Sequence, residues 1–282
     1  MPRVQWYLYL IAFAVIAGWE TFRPRRKLHA STPARWGAHF VLFASANYFV
    51  FWLVPASAVT TAVLARENGV GLLDQAALPL PLEAVLGVVL LDFVRYFQHY
   101  VFHAVPPLWR IHQIHHADLD YDLTTGLRFH PIESLFLSAT YLPVVWLLGA
   151  PPFAVIGYEL AYIFVAFFVH GNVSMPVKAD AWMRLLFVTP DMHRVHHSDI
   201  PSESRRNYSG LFSFWDRLFR TYQAQPVAGH RDMGIGLIGY KDSRSLNPLR
   251  ILAWPFTDRA MGIARPKPES AGAQATRDRG AA

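Results

Sequence analysis

Three short segments place histidines at the spacing of metal-binding helices. They are His99-x-x-x-His103, His112-x-x-His115-His116 and His193-x-x-His196-His197. Residues three and four apart lie on the same face of a helix, so each segment directs two or three imidazoles to one spot. At this chain's histidine frequency an HxxHH pattern is expected by chance only about 0.03 times, and it occurs twice. The spacing therefore predicts a histidine-rich metal centre.

The number of histidines indicates more than one metal ion. A structural zinc site needs four ligands, and a catalytic zinc site needs three and a water. Nine or ten positioned histidines exceed that need about twofold. They suit two ions, each with several imidazole ligands and open positions for oxygen. Because imidazole also binds copper, iron and nickel, ligand type alone does not name the metal.

Two single histidines lie between these segments, and each has alternatives. His170 ends an apolar run, and we expect it to be a ligand. His130 precedes Pro131, a residue typical of the first position of a helix, so His130 is a ligand, a support for a ligand, or a helix-start residue. The three segments have alternatives too: the first suits a helix end at a membrane surface, and either HxxHH suits a solvated helix face. The histidines not expected to be ligands are His29, His39 and His230.

Two acidic residues stand inside apolar runs, where an ionisable side chain is a candidate functional group. Asp92 lies two helical turns before His99, so it is a candidate to accept a hydrogen bond from a ligand imidazole; alternatively it pairs with Arg95. Glu159 lies three turns before His170 and either lines a substrate channel or bonds a neighbouring helix.

Composition places this chemistry at a membrane. Hydrophobic residues make up 53% of the chain and charged residues only 16%, against about a quarter charged in soluble domains. The apolar runs cover 4–18, 37–64, 82–101, 135–148 and 153–169. Proline 55 is expected to kink or break the second run, and Gly149-Ala150-Pro151-Pro152 to turn between the last two. The prediction is an all-α integral membrane bundle of about four to five transmembrane or re-entrant helices with a cytosolic histidine-rich helical cap; the alternative is a large soluble helical core.

Basic residues predict the orientation. The loop after the first run contains Arg23, Arg25, Arg26, Lys27 and Arg35, whereas only Arg3 precedes that run. By the positive-inside rule this loop is cytoplasmic. Following the chain across the membrane from there brings every histidine segment to the cytoplasmic face.

Charge and cysteine content exclude other classes of protein. The net charge of +6 is explained by cytoplasmic basic loops, and no basic run interleaved with aromatic residues suggests nucleic acid. The chain has no cysteine, which excludes disulfides, zinc–thiolate sites and iron–sulfur clusters.

The ordered series of histidine motifs resembles the fatty acid hydroxylase/sterol desaturase superfamily. The matching segments are HYVFH at 99–103, HQIHH at 112–116, RFHPIE at 128–133, HGN at 170–172, HRVHH at 193–197, Asn207-Tyr208 and WDRLF at 215–219. The resemblance covers about residues 85 to 225. It differs at Ser209 and Arg220, where glycine is common in that family, and at Ser174, where some fatty acid hydroxylases have a second histidine.

The resemblance implies a membrane enzyme with a non-haem di-iron centre that uses O₂ and reducing equivalents to hydroxylate or desaturate a lipid. The implied ligands are His99, His103, His112, His115, His116, His170, His193, His196 and His197. The candidates to support those ligands are Asp92, His130, Glu133 and Asn207. No haem-binding domain is fused to the chain, so a separate electron-donor protein or reductase is expected.

The implied organisation is an N-terminal transmembrane region at 1–81, a catalytic domain at 82–225 and a C-terminal extension at 226–282, disordered from about 265. Two other functions stay open. A metal-binding transporter or sensor predicts ligands near the bilayer midplane on broken helices. A zinc-dependent lipid hydrolase needs a carboxylate base beside the metal, and no HExxH is present. The sequence does not distinguish sterol, fatty acyl, ether-lipid and aminolipid substrates, hydroxylation from desaturation, or the oligomeric state.

Overall fold

The structure is a computed structural model, and it describes residues 2–257. These residues are helical, with isolated β-bridges as their only extended pairing. The longer helices are α1 (Pro2–Phe22), α2 (Thr32–Leu53), α3 (Ala58–Glu67), α4 (Leu72–Gln75), α5 (Leu80–Ala104), α6 (Pro106–His116), α7 (Pro131–Leu148) and α8 (Pro152–His170). The shorter ones are α9 (Val177–Met183), α10 (Pro190–His196), α11 (Pro201–Ser204), α12 (Phe214–Leu218), α13 (Gly229–Asp232) and α14 (Pro248–Ala253). Single 3₁₀ turns cover Leu123–Leu127, Ser243–Leu246 and Trp254–Phe256.

Three helical segments among the described residues are long and apolar enough to cross a membrane. They are Thr32–Gln75, Pro131–Leu148 and Pro152–His170, and the apolar part of α1, Tyr7–Phe22, is shorter. Helix α5, the longest, contains Glu83, Asp92 and Arg95 and is not among the three. The predicted all-helical membrane architecture is therefore confirmed, with about the expected number of helices.

Proline and glycine end the helices where the sequence predicts. The second apolar run breaks around Pro55, because α2 ends at Leu53 and α3 begins at Ala58. The turn between α7 and α8 begins at Gly149, whose φ of 58° is left-handed and favours glycine. The Cβ that an alanine would add at Gly149 would lie 2.3 Å from the Gly71 Cα, so α4 and this turn approach more closely than a side chain allows.

Packing brings the histidine-bearing helix ends together. Helix α1 packs against α8, α2 and α3 pack against α7, and α5 contacts both α7 and α8. Helix α5 ends just after His103, α6 follows at once, and α8 ends at His170. Helix α10 packs on α8 and adds the last histidine segment at the same end of the bundle.

The C-terminal extension packs against the bundle as far as residue 257. Helix α14 contacts α2, and the turn Trp254–Phe256 contacts α6. Tyr240, Ile251 and Trp254 share a buried cluster with Leu42 and Ile114. The disorder expected from about residue 265 lies outside the described residues.

Candidate metal centre

The nine predicted ligand histidines lie together in two groups. The first contains His99, His103, His112, His116 and His196, and the second contains His115, His170, His193 and His197. Within each group, one nitrogen from each residue lies within 4.8 Å of all the others. Each group could therefore hold a metal ion, and His130 is in neither.

Each HxxHH segment contributes to both groups. The i,i+4 pair His112 and His116 of α6 belongs to the first group, while His115 points to the second. The last segment does the reverse, because its i,i+4 pair His193 and His197 belongs to the second group and His196 to the first. Residues i and i+4 lie one turn apart on the same face of a helix. The histidine next to one of them is rotated by about 100° around the helix axis and therefore faces the other group.

The two groups are in direct contact. The rings of His116 and His197, one from each group, stack with centroids 4.6 Å apart. The ring of His115 lies 4.7 Å from that of His197. Two ions held by these groups would therefore be neighbours.

Three histidines of the first group each have one imidazole nitrogen held by the protein and the other left without a partner. The Nδ1 atoms of His99 and His196 lie 2.7 Å from the carbonyl oxygens of Tyr208 and Arg206, respectively. The Nδ1 of His112 lies 2.6 Å from Glu133 Oε1. The Nε2 atoms of all three histidines are buried and have no hydrogen-bond partner in the described part of the chain. A partnered Nδ1–H and a free Nε2 lone pair are what a metal ligand requires.

The second group shows nitrogen spacing that suits a shared ion. The Nδ1 of His170 is held by the Ala166 carbonyl at 2.7 Å, so its Nε2 carries the lone pair. That Nε2 lies 3.2 Å from His115 Nε2 and 3.1 Å from His193 Nε2. Two nitrogens bound to one ion at about 2.1 Å are separated by roughly 3 Å, so these distances fit coordination of one metal.

Burial keeps five imidazoles of the two HxxHH segments in their neutral, metal-binding form. It lowers the pKa of His115, His116, His193 and His197 well below the ordinary value, and the neighbouring imidazoles lower it further. The pKa of His196 falls to about 3, again chiefly because the ring is desolvated. A proton therefore competes poorly with a metal ion for these nitrogens near neutral pH.

The start of α7 explains the different positions of His130 and Glu133. His130 precedes Pro131, the first residue of the helix, and its Nδ1 accepts a hydrogen bond from the Ile132 amide at 3.0 Å. Its Nε2 lies 3.2 Å from the Leu252 carbonyl, so both ring nitrogens are used away from the metal groups. Of the three sequence interpretations, this geometry matches the helix-start residue. Glu133 lies in the first turn, where its carboxylate reaches His112.

Asn207 positions the carbonyls that hold two histidines. Its Nδ2 donates to the Met192 and Gln223 carbonyls, both at 2.8 Å, and its Oδ1 accepts from the Gln223 amide. Its φ of 56° is left-handed, which asparagine tolerates better than most residues. The carbonyls on either side, of Arg206 and Tyr208, are those that face His196 and His99.

Asp92 contacts neither of the partners expected from the sequence. Its carboxylate accepts hydrogen bonds from the Tyr158 hydroxyl, the Leu211 and Phe212 amides and the Trp215 indole. Arg95 instead faces Glu159, at 3.8 Å. The segment at 211–215 packs on this face of α5 and supplies three of the four donors, so Asp92 anchors this segment and Tyr158 instead of an imidazole.

Comparison with known proteins identifies the region that carries these histidines. Residues 84–221 match the model of the family described as Fatty acid hydroxylase. The chain contains a fatty acid hydroxylase domain. This confirms the resemblance to the fatty acid hydroxylase/sterol desaturase superfamily. All nine clustered histidines lie inside the matched range.

Curated relatives match the fatty acid hydroxylase domain over part of their length. The chain is 34% identical over 158 residues to the ornithine lipid hydroxylase OlsE of Rhizobium tropici, covering 56% of this chain and 46% of the relative. It is 36% identical over 132 residues to the alkylglycerol monooxygenase of Xenopus tropicalis, covering 46% of this chain and 28% of that one. It is 32% identical over 143 residues to the human alkylglycerol monooxygenase, covering 50% of this chain and 30% of that one. The chain thus spans less than half the length of these relatives, and no solved structure matches it significantly.

A cavity of about 290 Å³ opens beside the histidines of the fatty acid hydroxylase domain. His99 and His112 of the first group and His115, His170 and His193 of the second line it. Its apolar wall contains Phe102, Phe129, Leu137, Ile163, Val165 and Val169, and its polar wall contains Arg95, Gln98, Glu133, Glu159 and Ser209. The cavity therefore joins both metal groups to a space that suits an apolar chain. Glu159 lines this cavity and accepts a hydrogen bond from Tyr141 of α7, so it bonds a neighbouring helix as one of the sequence alternatives has it.

Two arginines whose contacts the sequence did not predict support the domain. Arg128 donates to the carbonyls of Ile114 and Ala117, and so satisfies the end of the helix that carries HQIHH. Arg35, which was expected from the sequence in the loop after the first run, instead lies in α2, where it is fully buried and forms a bidentate pair with Asp118, two residues after His116. Arg128 belongs to the RFHPIE motif, so the sequence contained a signal for it. The pair of Arg35 with Asp118 joins residues 83 apart in the chain, and no sequence motif indicated it.

Proposed function

We propose that this chain is a membrane-bound non-haem di-iron oxygenase that hydroxylates a lipid with O₂ and electrons from a separate donor. The observation that carries the proposal is the pair of adjacent, buried, all-histidine groups that open onto one largely apolar cavity. The relatives' names, ornithine lipid hydroxylase and alkylglycerol monooxygenase, favour hydroxylation of a lipid over desaturation.

The donor set fits iron. Nine neutral imidazoles leave the charge of the ions uncompensated, which favours oxygen-derived ligands at the open positions. Iron bound here would supply the oxidant for an unactivated C–H bond, and the reaction takes up O₂, two electrons and two protons and releases an alcohol and water. Glu133 and the Arg206, Tyr208 and Ala166 carbonyls would fix the orientation of the imidazoles.

The chain's other residues would bind and shield the substrate. The apolar wall of the cavity would hold the lipid chain and exclude bulk water from the reacting carbon. The apolar helices that flank it would admit the lipid from the bilayer. We further propose that the histidine end of the bundle faces the cytoplasm, where the basic residues before α2 and a soluble electron donor would also be.

The alternatives are less well supported. A transporter would place its ligands near the middle of broken helices, whereas these histidines occupy the ends of α5, α6 and α8 and the short helix α10. A zinc hydrolase would need one ion and a free carboxylate base. Here nine histidines serve two groups, and the Glu133 carboxylate is used by His112.

Lipid analysis under ¹⁸O₂ tests the proposal. Cells producing the wild-type protein should contain a lipid that has gained one ¹⁸O atom, and cells producing His196→Ala should lack it. Surface variant Arg231→Ala is the matched control and should behave as wild type. Oxygen incorporated from labelled water instead of O₂ would indicate a hydrolase, and unchanged lipids would contradict the proposal.

A further inference from the structure

The cavity contains an ion pair that the metal groups do not use. Arg95 of α5 and Glu159 of α8 both line the cavity, and their side chains remain 17% and 28% exposed. The Arg95 Nη2 atom lies 3.8 Å from Glu159 Oε1, which is too far for a hydrogen bond. The pair therefore offers N–H donors and a carboxylate acceptor to an occupant of the cavity.

Neighbouring side chains hold this pair in position. The guanidinium of Arg95 lies over the ring of Tyr141 at 3.8 Å, and Tyr141 donates its hydroxyl to Glu159 Oε1 at 2.8 Å. Tyr162, also in the cavity wall, lies 5.3 Å from the same guanidinium. Glu159 precedes His170 by eleven residues of one helix, about 16 Å along its axis. Glu159 is thus distant from the second metal group along α8, whereas Arg95 lies one turn of α5 before His99 of the first group.

A purely hydrocarbon occupant would be a poor partner for this end of the cavity. Arg95 Nε has no hydrogen-bond partner among residues 2–257, and neither has the buried Gln98 Oε1, which lies one turn further along α5. The Gln98 Nε2 donates to the Leu137 carbonyl, which fixes the orientation of the amide. Hydrocarbon over the exposed parts of Arg95 and Glu159 would remove their hydration and return no hydrogen bond. An occupant with its own acceptor and donor would replace the lost hydrogen bonds.

From this arrangement we infer that Arg95 and Glu159 anchor a polar group of the substrate that has both a hydrogen-bond acceptor and a donor, such as a hydroxyl or a secondary amide. The inference rests on the proposed function, because it assigns this cavity to the substrate. It makes Arg95 and Glu159 specificity-determining residues, which hold one end of the substrate while its chain lies against the histidines. If the pair only stabilises the helix bundle, replacing it should change the binding of polar and apolar occupants equally.

Binding of three matched probes tests the inference without requiring turnover. The probes are dodecan-1-ol, which donates and accepts, dodecyl methyl ether, which only accepts, and dodecane, which does neither. Occupancy of the iron-loaded full chain is measured by native mass spectrometry in one detergent. Each probe's occupancy is compared between protein variants, so that its partition into micelles cancels.

The decisive variant replaces both members of the pair, Arg95→Met with Glu159→Met, because removing one alone would leave an unpaired buried charge. Relative to wild type, it should bind dodecan-1-ol about tenfold more weakly and dodecane no more weakly. The ether should lie between them. Ser138→Ala, whose hydroxyl bonds only its own helix at Ser134, is the matched control and should bind as wild type.

A conservative variant separates recognition from folding. Arg95→Lys keeps the charge and donors, and should retain a preference for the alcohol within about threefold of wild type. The inference would be overturned if both variants lost affinity equally for all three probes, or if neither variant lost affinity for any probe. Lack of O₂-dependent turnover in wild type with the predicted probe preference intact would count against the proposed function but not against the anchor.

Discussion

The Nδ1 atom of His112 and the Oε1 atom of Glu133 lie 2.6 Å apart in a fully buried pair that joins α6 to the first turn of α7. His112 donates its Nδ1–H to the carboxylate, and its Nε2 is thereby directed to the first metal group. The pair connects a helix that carries three ligands to one that carries none. It shows how the bundle fixes an imidazole that local helix geometry alone would leave free to rotate.

Replacing Glu133 should weaken metal binding. Glu133→Gln keeps the shape of the side chain but loses the charge that holds the imidazole, and such supporting groups are typically worth 10–100-fold in metal affinity. We expect a loss in this range when iron retention is measured against a chelator. Ser134→Ala, the next residue, should retain iron as wild type does; equal retention in both variants would show that Glu133 does not support the site.

Replacing Asn207 should separate backbone strain from side-chain support. Asn207→Gly keeps the left-handed conformation but loses the bonds to Met192 and Gln223, whereas Asn207→Ala loses the bonds and is also strained. Both should bind iron more weakly, because the Arg206 and Tyr208 carbonyls lose their support. Alanine should also lower the free energy of unfolding by about 1 kcal/mol more than glycine. Thermal unfolding of the two purified variants measures that difference, and the same stability in both would refute the strain argument.

The turn between α7 and α8 should not tolerate a side chain. Gly149→Ala would place its Cβ 2.3 Å from Gly71 and would hold alanine at a positive φ, so we expect a lower melting temperature and a loss of several kcal/mol. Gly157→Ala, on the same helix hairpin, has no heavy atom within 4 Å of the new Cβ. It should leave the melting temperature unchanged or higher. Similar melting temperatures for the two variants would contradict the close approach seen here.

Acid should destabilise the metal-free protein. The pKa of His115, His116, His193, His196 and His197 is lowered by burial in the folded state, whereas it is about 6.5 in the unfolded chain. Below pH 6.5 the unfolded state therefore binds more protons, and stability falls by up to about 1.4 kcal/mol per pH unit for each histidine. The contribution is fully present above pH 6.5 and is lost progressively towards the folded pKa values. The melting temperature of chelator-treated protein, measured between pH 5 and 8, should fall as the pH is lowered beneath 6.5. A melting temperature that does not change with pH would mean that these rings are already protonated or exposed.

The sequence predicts what depends on local helix geometry. The i,i+3 and i,i+4 spacing placed His112, His115 and His116 on a metal-facing surface, and proline and glycine marked the ends of α2, α7 and α8. Those features follow from 3.6 residues per turn and from backbone conformations that only a few residues adopt.

The sequence could not predict which imidazole belongs to which group. That division depends on how α6 and α10 are rotated against one another, which is set by tertiary packing. The carbonyls of Arg206 and Tyr208 were also missed, because backbone acceptors carry no residue signature. The partners of Asp92 were missed for a similar reason, because two of its four donors are backbone amides about 120 residues away along the chain.

Iron stoichiometry and spectroscopy of the protein loaded with ⁵⁷Fe under anaerobic conditions test the central claim most directly. Two adjacent groups of histidines predict two irons per chain and, after oxidation, a Mössbauer spectrum of a magnetically coupled pair. His116→Ala, which removes a ligand at the contact between the groups, should lose that coupling. One iron per chain in the fully loaded wild type, or two irons without coupling, would contradict the account.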